Sequence, residues 1–436
     1  MSDALNIAIA GLGTVGTGTL QLLDRQAELL AERAGRPLRV VAVADLDTGR
    51  DRGVVLKGIA CFDDALKMVA ESDAHVVVEL IGGSDGIARE VCEAAMAKGR
   101  HVVTANKALL AHHGMKLAEK AEIAGVALAY EAAVAGSIPI IKALREGLAG
   151  NRIARITGIL NGTCNYILSA MRETGKEFDE VLAEAQALGY AEADPSFDVD
   201  GVDAAHKLAL LTAVAYGCAV NFDDIYREGI RHITSRDIAC AEELGCRIKL
   251  LGITRRLDGE GKGSVEQRVH PCLIPAGAPL AHVEGVLNAV AVEGDFVGPT
   301  MLEGAGAGSL PTASAVVADI VDMARGLRIP AFGRPVAELE DVPSAPMENH
   351  RGAYYIRLSV ADKPGVIADI SAILRDGDIS MESMLQHGRA DAPSCAVTVV
   401  MTTHETREAA MTEALTKIAA IDSVEEPPVM IRMEAV

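Results

Sequence analysis

The sequence predicts an α/β protein of about three domains. A doubly wound parallel sheet comes first, then an α+β domain with a mixed sheet, and a ferredoxin-like domain comes last. Three observations support this prediction. The chain has 436 residues, and domains average roughly 150 residues. A glycine-rich motif directly follows the first predicted strand and opens a helix. Four prolines between residues 326 and 351 indicate a linker before the last strand-rich segment.

The charge and composition of the chain exclude several classes of partner. Lys and Arg number 41 against 61 Asp and Glu, for a formal net charge of −20. This excess repels phosphate backbones and anionic headgroups, so we expect no nucleic acid and no membrane as a partner. Aromatic residues make up only 3% of the chain, too few for a surface on which bases stack. Since half of the residues are hydrophobic, a large core is available and global disorder is excluded.

We expect a cytoplasmic protein with reduced thiols. The longest uncharged apolar stretch, residues 208–222, is shorter than the roughly 20 residues that cross a bilayer. The first residues lack the basic region of a secretory signal. The cysteines are scattered without a Cys-x-x-Cys pair, which argues against a disulfide framework or a zinc site. They are Cys61, Cys92, Cys164, Cys218, Cys240, Cys246, Cys272 and Cys395.

The first domain is predicted from alternating strands and helices. Residues 5–10 form a β-rich run, a helical stretch extends to about Ala34, and a second strand over residues 38–44 ends at Asp45. The Gly-x-Gly-x-x-Gly motif between the first strand and the helix permits a tight turn, and the helix N-terminus offers N–H groups to a pyrophosphate. An acid at the end of the second strand can accept a hydrogen bond from a ribose hydroxyl. The pattern predicts a Rossmann domain that binds NAD or NADP. Its expected cofactor contacts are Gly11, Gly13, Thr14, Val15, Gly16 and Asp45.

Two further residues of this domain are candidates for a site. Lys107 follows a predicted strand over residues 101–104, at the edge where parallel sheets bind ligands, and can reach the nicotinamide or its ribose. The alternative is a solvated loop lysine. Glu131 is a lone charge in an apolar stretch after a strand at residues 126–130. Because a buried carboxylate is costly unless it is paired, Glu131 indicates a salt bridge, a helix N-terminus, or a hard cation held together with backbone carbonyls.

The second domain contains a cluster of acids closed by a lysine. Five acids lie between Glu192 and Asp203. Asp203 and Lys207 are four residues apart at the start of an apolar helix and share one face. A partly desolvated lysine can act as acid or base while carboxylates fix its position; the alternative is an acidic loop with an ordinary salt pair. Cys164 is a candidate nucleophile, but no cation close in sequence can stabilise its thiolate, which favours a structural cysteine.

These residues resemble the signature of the homoserine dehydrogenase family. Residues 185–207 match the pattern Ala-x3-Gly-aromatic-Ala-x2-Asp-Pro-x2-Asp-aliphatic-x-Gly-x-Asp-x3-Lys at every defined position. The glycine motif and the segments 105–107, 161–163 and 304–312 resemble the same family in order and spacing. The resemblance covers about residues 4–330.

The resemblance implies reversible NAD(P)-dependent interconversion of L-homoserine and L-aspartate 4-semialdehyde, on the route to threonine, isoleucine and methionine. Lys207 matches the acid/base lysine of the family, and Lys107 matches a second lysine near the hydride path that also contacts the cofactor. Glu192 and Asp203 match acids that hold the ammonium group of the substrate, and Gly306 matches a backbone contact to the cofactor. A sodium ion is implied at the side chain of Glu131 and the carbonyls of Val134, Gly136 and Ile138.

The chain departs from many members of this family at two places. Ala44 stands where relatives carry Arg or Lys to meet the 2′-phosphate of NADP. Arg50 and Arg52 can compensate, but Asp45 together with Ala44 favours NAD. Residues 82–86 read Gly-Gly-Ser-Asp-Gly in place of Gly-Gly-x-Glu-Pro, so the cofactor contacts of that segment are not carried over.

The segment after the linker predicts a βαββαβ module. Its opening of strand, Asp-x-Pro-Gly turn and helix resembles that of an ACT domain, which binds amino acids where two such domains pair. The implied role is feedback control by threonine, with a plain oligomerisation role as the alternative.

β-rich runs between residues 247 and 303 suit a mixed sheet that, by resemblance, pairs subunits into a homodimer or homotetramer.

The predicted domain limits follow from these segments. They are residues 1–135 for the NAD(P)-binding domain, 136–325 for the catalytic and dimerisation domain, 326–351 for the linker and 352–436 for the ACT domain.

Two other functions stay open. One is another nicotinamide-dependent aldehyde dehydrogenase that uses Cys164, and the other is a non-catalytic amino-acid-sensing protein. The intact set of Lys107, Glu192, Asp203 and Lys207 argues against the second.

Overall fold

A six-stranded parallel sheet forms the N-terminal part of the protein. The computed structural model describes residues 3–257, 263–387 and 396–435, so Cys395 lies outside the described residues. The strands are β1 (Leu5–Ala10), β2 (Leu38–Ala44), β3 (Ala60–Phe62), β4 (Val76–Glu79), β5 (His101–Thr104) and β6 (Leu128–Ala129). The helices are α1 (Thr14–Arg25), α2 (Ala27–Ala34), α3 (Ala65–Glu71), α4 (Ile87–Ala97) and α5 (Lys107–Ala124). The order β3-β2-β1-β4-β5-β6 reverses beside β1 and confirms the predicted doubly wound sheet, whose ligand crevice lies at the carboxyl ends of the strands.

The predicted helix after the glycine motif is broken in two. α1 ends at Arg25 and α2 begins at Ala27, because Gln26 has a non-helical backbone conformation with φ −112° and ψ 20°. The bend allows both segments to pack on the same core, to which α1 contributes Leu23 and α2 contributes Leu30.

A mixed sheet forms the middle of the molecule, as predicted. Its strands are β7 (Ile153–Ile159), β8 (Tyr226–Arg227), β9 (Cys246–Leu257), β10 (Ser264–Pro275), β11 (Leu287–Gly294) and β12 (Gly298–Ala305). The helices are α6 (Ile140–Lys142), α7 (Gly162–Thr174), α8 (Phe178–Ala187), α9 (Ser196–Val199), α10 (Val202–Tyr216), α11 (Ser235–Glu243) and α12 (Ser309–Ala324). The strands follow the order β12-β11-β7-β9-β10. α10 is buried along nearly its whole length, and α12 returns to pack against α1 of the first sheet.

The C-terminal module has the predicted ferredoxin-like order. Its strands are β13 (Arg351–Ala361), β14 (Met381–His387), β15 (Ala396–Thr403), β16 (Thr406–Arg407) and β17 (Val429–Met433), and its helices are α13 (Val366–Asp376) and α14 (Glu408–Ala419). β17 pairs with β13 on one side and with β10 on the other. The module and the middle domain therefore share one continuous sheet, which has eleven strands in the described part of the chain.

The proline-rich segment before this module packs against the middle domain rather than acting as a free spacer. Val265 donates its backbone N–H to Pro343 and accepts one from Ala345, and Glu340 donates to Gly217. Backbone pairing thus holds the segment against β10 and the end of α10. None of the helices in the described ranges is long and apolar enough to cross a membrane.

Candidate active site

The glycine loop leaves the start of α1 open at the carboxyl edge of the first sheet. Gly11 has φ +95°, and a Cβ atom on it would lie 2.6 Å from the carbonyl oxygen of Leu80, so only glycine fits there. α1 begins at Thr14 without a side-chain cap, and both Gly13 and Thr14 are exposed. The N–H groups of this first turn are available to a pyrophosphate.

Asp45 follows β2 beside this loop. Its carboxylate accepts N–H groups from Leu12 at 2.7 Å and Asp47 at 3.0 Å, and it pairs with Arg52 at 2.8 Å. Partial burial raises the pKa of Asp45, but the two backbone N–H groups and the charge of Arg52 outweigh it and hold the pKa below its usual value. Arg52 is thereby placed where a ribose or its phosphate would lie in a dinucleotide site of this fold.

A buried acid at the end of β4 holds the loop that follows this strand. Glu79 accepts N–H groups from Ile81 at 2.8 Å and Gly82 at 3.1 Å, and the hydroxyl of Thr104 donates to it at 2.6 Å. Asn106 donates to the carbonyl of Gly83 at 2.7 Å. These contacts fix the segment that departs from the family pattern. No role was predicted for Glu79 from the sequence, although a lone charge in an apolar strand indicates a buried acid that needs hydrogen-bond partners.

Two lysines from different domains meet at one buried carboxylate. Lys207, near the start of α10, donates to Asp203 at 2.7 Å and to the carbonyl of Leu160 at 2.6 Å. Lys107, the first residue of α5 beyond β5, pairs with Asp203 at 3.2 Å. Lys207 is only 7% exposed. The structure therefore brings together Lys107, Asp203 and Lys207 at the carboxyl edge of the parallel sheet.

Asn161 and Asp198 complete this cluster. Asn161 caps α7 through its side-chain oxygen, and its amide donates to Asp198 at 2.7 Å and to Asp203 at 2.8 Å. Burial raises the pKa of Asp203, but the nearby charges of Lys207 and Lys107 outweigh it and hold the pKa well below its usual range. Burial raises the pKa of Asp198, and the neighbouring Asp203 adds to this effect. The two carboxyl groups thus differ in proton affinity while sharing one amide.

Glu192 lies apart from the cluster in this structure. The residue is exposed, and within the described ranges its side chain forms no hydrogen bond or ion pair. Its backbone carbonyl accepts a hydrogen bond from the side chain of Gln186 at 3.0 Å. The predicted substrate contact of Glu192 therefore stays a prediction.

Cys164 has the surroundings of a structural cysteine. The residue is fully buried and its thiol donates to the carbonyl of Asp198 at 3.3 Å. Burial, with the charges of Asp198 and Asp203, raises the pKa of the Cys164 thiol well above its usual value. Such a thiol resists forming the thiolate that a nucleophile needs.

The predicted sodium loop lies directly against the predicted cofactor contact. Gly136 has φ +55°, and a Cβ atom there would lie 2.5 Å from the carbonyl oxygen of Gly306. Glu131 accepts N–H groups from Ile141 at 2.9 Å and Lys142 at 2.8 Å. Burial raises the pKa of Glu131 to about 7, with a contribution from Asp319. The described residues hold no group of three or more His, Cys, Asp or Glu side chains suited to a metal, so a cation here would depend on carbonyl oxygens.

A glycine loop on a doubly wound sheet, with a paired-lysine site at its carboxyl edge, defines a nicotinamide-dependent oxidoreductase. Matches to known families make this assignment specific. The model described as homoserine dehydrogenase matches residues 139–321, that described as homoserine dehydrogenase, NAD binding domain, matches residues 11–131, and that described as ACT domain matches residues 354–422. The chain belongs to the homoserine dehydrogenase family, which confirms the resemblance drawn from residues 185–207.

Full-length relatives support the same assignment. A homoserine dehydrogenase of Neisseria gonorrhoeae is 48% identical, with 99% of each chain covered. The crystal structure of a homoserine dehydrogenase from Thiobacillus denitrificans is also 48% identical, with a TM-score of 0.93 and 99% of each chain covered. A hyperthermophilic archaeal homoserine dehydrogenase in complex with NADPH has a TM-score of 0.62 and 28% identity, and the match covers 74% of this chain and 99% of that one.

Proposed function

We propose that this protein catalyses the reversible NAD(P)-dependent interconversion of L-homoserine and L-aspartate 4-semialdehyde, on the route to threonine, methionine and isoleucine. One observation carries the proposal: Lys107 and Lys207, from two domains, converge on Asp203 at the edge where the dinucleotide site opens. Oxidation of an alcohol requires a base beside the hydroxyl and a group that orients the substrate. The cofactor, when bound, accepts or supplies the hydride.

Lys207 is the proposed acid and base. An ammonium group has three N–H donors, and two of those of Lys207 are taken by Leu160 and Asp203. The third is left for the substrate oxygen, which Lys207 protonates when the aldehyde is reduced. Lys107 is half-buried and is proposed to contact the cofactor and to assist this proton exchange.

Asp203 and Glu192 are the proposed partners of the substrate ammonium group. Asp203 is already buried in the cluster, whereas Glu192 lies on the exposed segment before α9 and must approach when substrate binds. Asp198 joins this set because Asn161 ties it to Asp203.

The dinucleotide is proposed to lie on the first turn of α1. The contacts are carried over to Gly11, Gly13, Thr14, Val15, Gly16, Asp45, Lys107 and Gly306. The pairing of Arg52 with Asp45 supports binding of either coenzyme, since Asp45 suits a free ribose hydroxyl and Arg52 suits a 2′-phosphate.

A sodium ion is proposed to be held by Glu131 with the carbonyls of Val134, Gly136 and Ile138. A buried carboxylate with a raised pKa fits this role, because a bound cation would relieve the cost of burying its charge. The contact of Gly136 with Gly306 supports a role in shaping the cofactor site.

The remaining proposals concern the setting of the enzyme. We infer that threonine exerts feedback control through the ACT module and that the chain assembles as a homodimer or homotetramer. We also propose the domain limits given above, residues 1–135, 136–325, 326–351 and 352–436. A cytoplasmic location is supported by seven free thiols among the described cysteines.

One experiment tests the proposed function. The full chain is assayed for homoserine oxidation with NAD and with NADP, with and without threonine, next to the variants Lys207→Ala and Lys67→Ala. Lys67 is an exposed lysine of α3 and serves as the control. We expect Lys207→Ala to lose about a hundredfold or more in kcat, since general acid–base catalysis contributes that much, while its coenzyme affinity stays near normal. Unchanged turnover in Lys207→Ala would contradict the assignment.

A further inference from the structure

A buried histidine next to the catalytic lysine is packed among aromatic rings. His206 precedes Lys207 in α10 and is only 3% exposed. Its ring stacks on Phe222, with centroids 4.3 Å apart and planes at 8°, and on Phe197, at 5.5 Å and 29°. His112 of α5 meets its edge at 5.4 Å. The chain contains only six Phe and no Trp, and two of these phenylalanines pack on this one histidine.

The surroundings of His206 suit a neutral packing surface rather than a proton carrier. Burial lowers the pKa of His206 to about 4, assisted by the charges of His112, Lys107 and Arg227 and opposed by Asp203. Within the described residues, Nδ1 of His206 is buried without a hydrogen-bond partner, and Nε2 lies 3.4 Å from Nε2 of His112. The main contacts of the ring are therefore the stacking contacts of its two faces with Phe197 and Phe222.

One face of the His206 ring packs against the segment that carries Glu192 and Asp198. Phe197 lies in α9, between Glu192 and Asp203, and is 43% exposed. Residue 198, next to it, is the aspartate that Asn161 ties into the lysine cluster. Lys107 Nζ lies 5.8 Å from the centroid of the Phe197 ring, within the range of a cation–π contact. The ring contact with His206 thus fixes the segment relative to both lysines.

We propose that His206 is a positioning residue, and that the stack of Phe197, His206 and Phe222 holds residues 192–200 over α10 so that Glu192 and Asp198 meet the ammonium group of the substrate. This inference rests on the proposed function. Within the described residues the ring makes one long hydrogen bond, to His112, and the proposal assigns to its faces the task of ordering Glu192 and Asp198. Removal of the ring frees the segment, and the enzyme must then order it with substrate binding energy.

Three substitutions distinguish this role from general packing. His206→Ala removes the ring, His206→Phe keeps a flat ring without nitrogens, and Phe197→Leu removes the other half of the contact at a half-exposed position. Thr212→Ala is the control, since Thr212 is buried in the same helix and, among the described residues, its hydroxyl bonds only within that helix, to Leu208. The measurements are KM for homoserine, KM for coenzyme, kcat, and amide hydrogen exchange of residues 192–200 in the full enzyme without substrate.

We expect His206→Ala and Phe197→Leu to raise KM for homoserine about tenfold, the scale of one or two lost ring contacts. Coenzyme KM should stay within about twofold, and exchange at residues 192–200 should accelerate. His206→Phe and Thr212→Ala should behave like the wild type. Equal impairment of His206→Phe and His206→Ala, or unchanged exchange in His206→Ala, overturns the proposal. If the wild type does not oxidise homoserine, the proposed function fails, and the exchange comparison still decides whether the stack orders the segment.

Discussion

Replacement of Asp203 by asparagine removes the negative charge that Lys107 and Lys207 share. The carboxylate lies 2.7 Å from Lys207 and 3.2 Å from Lys107, and the residue is 5% exposed. Asparagine keeps the size of the side chain and the hydrogen bond that Asn161 donates. The variant therefore removes, at a position that water hardly reaches, the carboxylate that both ammonium groups contact directly.

The expected loss can be estimated from the burial of the pair. Removal of one partner of a buried ion pair costs about 3–5 kcal/mol, and each 1.4 kcal/mol in the barrier is about tenfold in rate. If most of the cost is expressed in the transition state, kcat/KM for homoserine falls by about a hundredfold to a thousandfold. Part of the cost will appear in folding stability, because the lowered pKa of Asp203 means that its charged form stabilises the native state. This stability is present above the ordinary carboxyl pKa and is lost as the pH falls below it.

Steady-state kinetics and thermal unfolding of the same preparations provide the measurement. Asp200→Asn is the matched control, because Asp200 lies three residues away and pairs with Arg231 at the surface. We expect that variant to retain activity within about threefold, since exposed ion pairs contribute at most about 1 kcal/mol. If Asp203→Asn matched Asp200→Asn in both activity and stability, the shared carboxylate would have no role in orienting the lysines.

Three further predictions test the remaining parts of the site. In sodium-free buffer, the melting temperature of the wild type should fall as the pH rises from about 4.5 to about 7, because the raised pKa of Glu131 favours the folded state only while the group is protonated. The melting temperature of Glu131→Gln should not fall over this pH range. Sodium chloride in place of choline chloride should restore the stability of the wild type at high pH, but not that of the variant. If both proteins gave the same curve of melting temperature against pH, Glu131 would be excluded as the cause. Arg52→Ala should raise KM for NADP about tenfold, the scale of a charge-assisted contact to phosphate, with a smaller effect for NAD. Arg39→Ala, at an exposed position of β2, serves as its control, and equal effects on both coenzymes would show that Arg52 acts only through Asp45. Cys164→Ser should keep turnover within about threefold, since the hydroxyl can donate to the carbonyl of Asp198 as the thiol does, whereas abolished turnover in a folded variant would favour a thiol nucleophile.

The parts of the site that the sequence predicted depend on local geometry. The glycine spacing places α1 directly after β1, and Asp45 and Lys107 follow strand ends, so a parallel sheet brings them to one edge. The spacing of Asp203 and Lys207 places both on one helix face, and their contact at 2.7 Å follows from this spacing.

Other contacts depend on chain segments that meet only in the folded protein. Asn161 reaches Asp198 and Asp203 across 37 and 42 residues, and no periodicity encodes that distance. The pairing of Arg52 with Asp45 depends on the path of the loop after β2. The break at Gln26 was missed because residues on both sides of it keep helical preferences, and tertiary packing sets the bend.

The pairing of β17 with β10 makes the last strand of the chain part of the wall of the catalytic domain. Arg432 in β17 is buried and donates to Glu228 at 2.6 Å, and Glu434 pairs with Arg268 at 2.6 Å. A chain cut before β13 would leave Glu228 and Arg268 without these partners and would uncover backbone groups of β10. Loss of the proposed feedback control should therefore arise more readily by point substitution in the C-terminal module than by deletion of it.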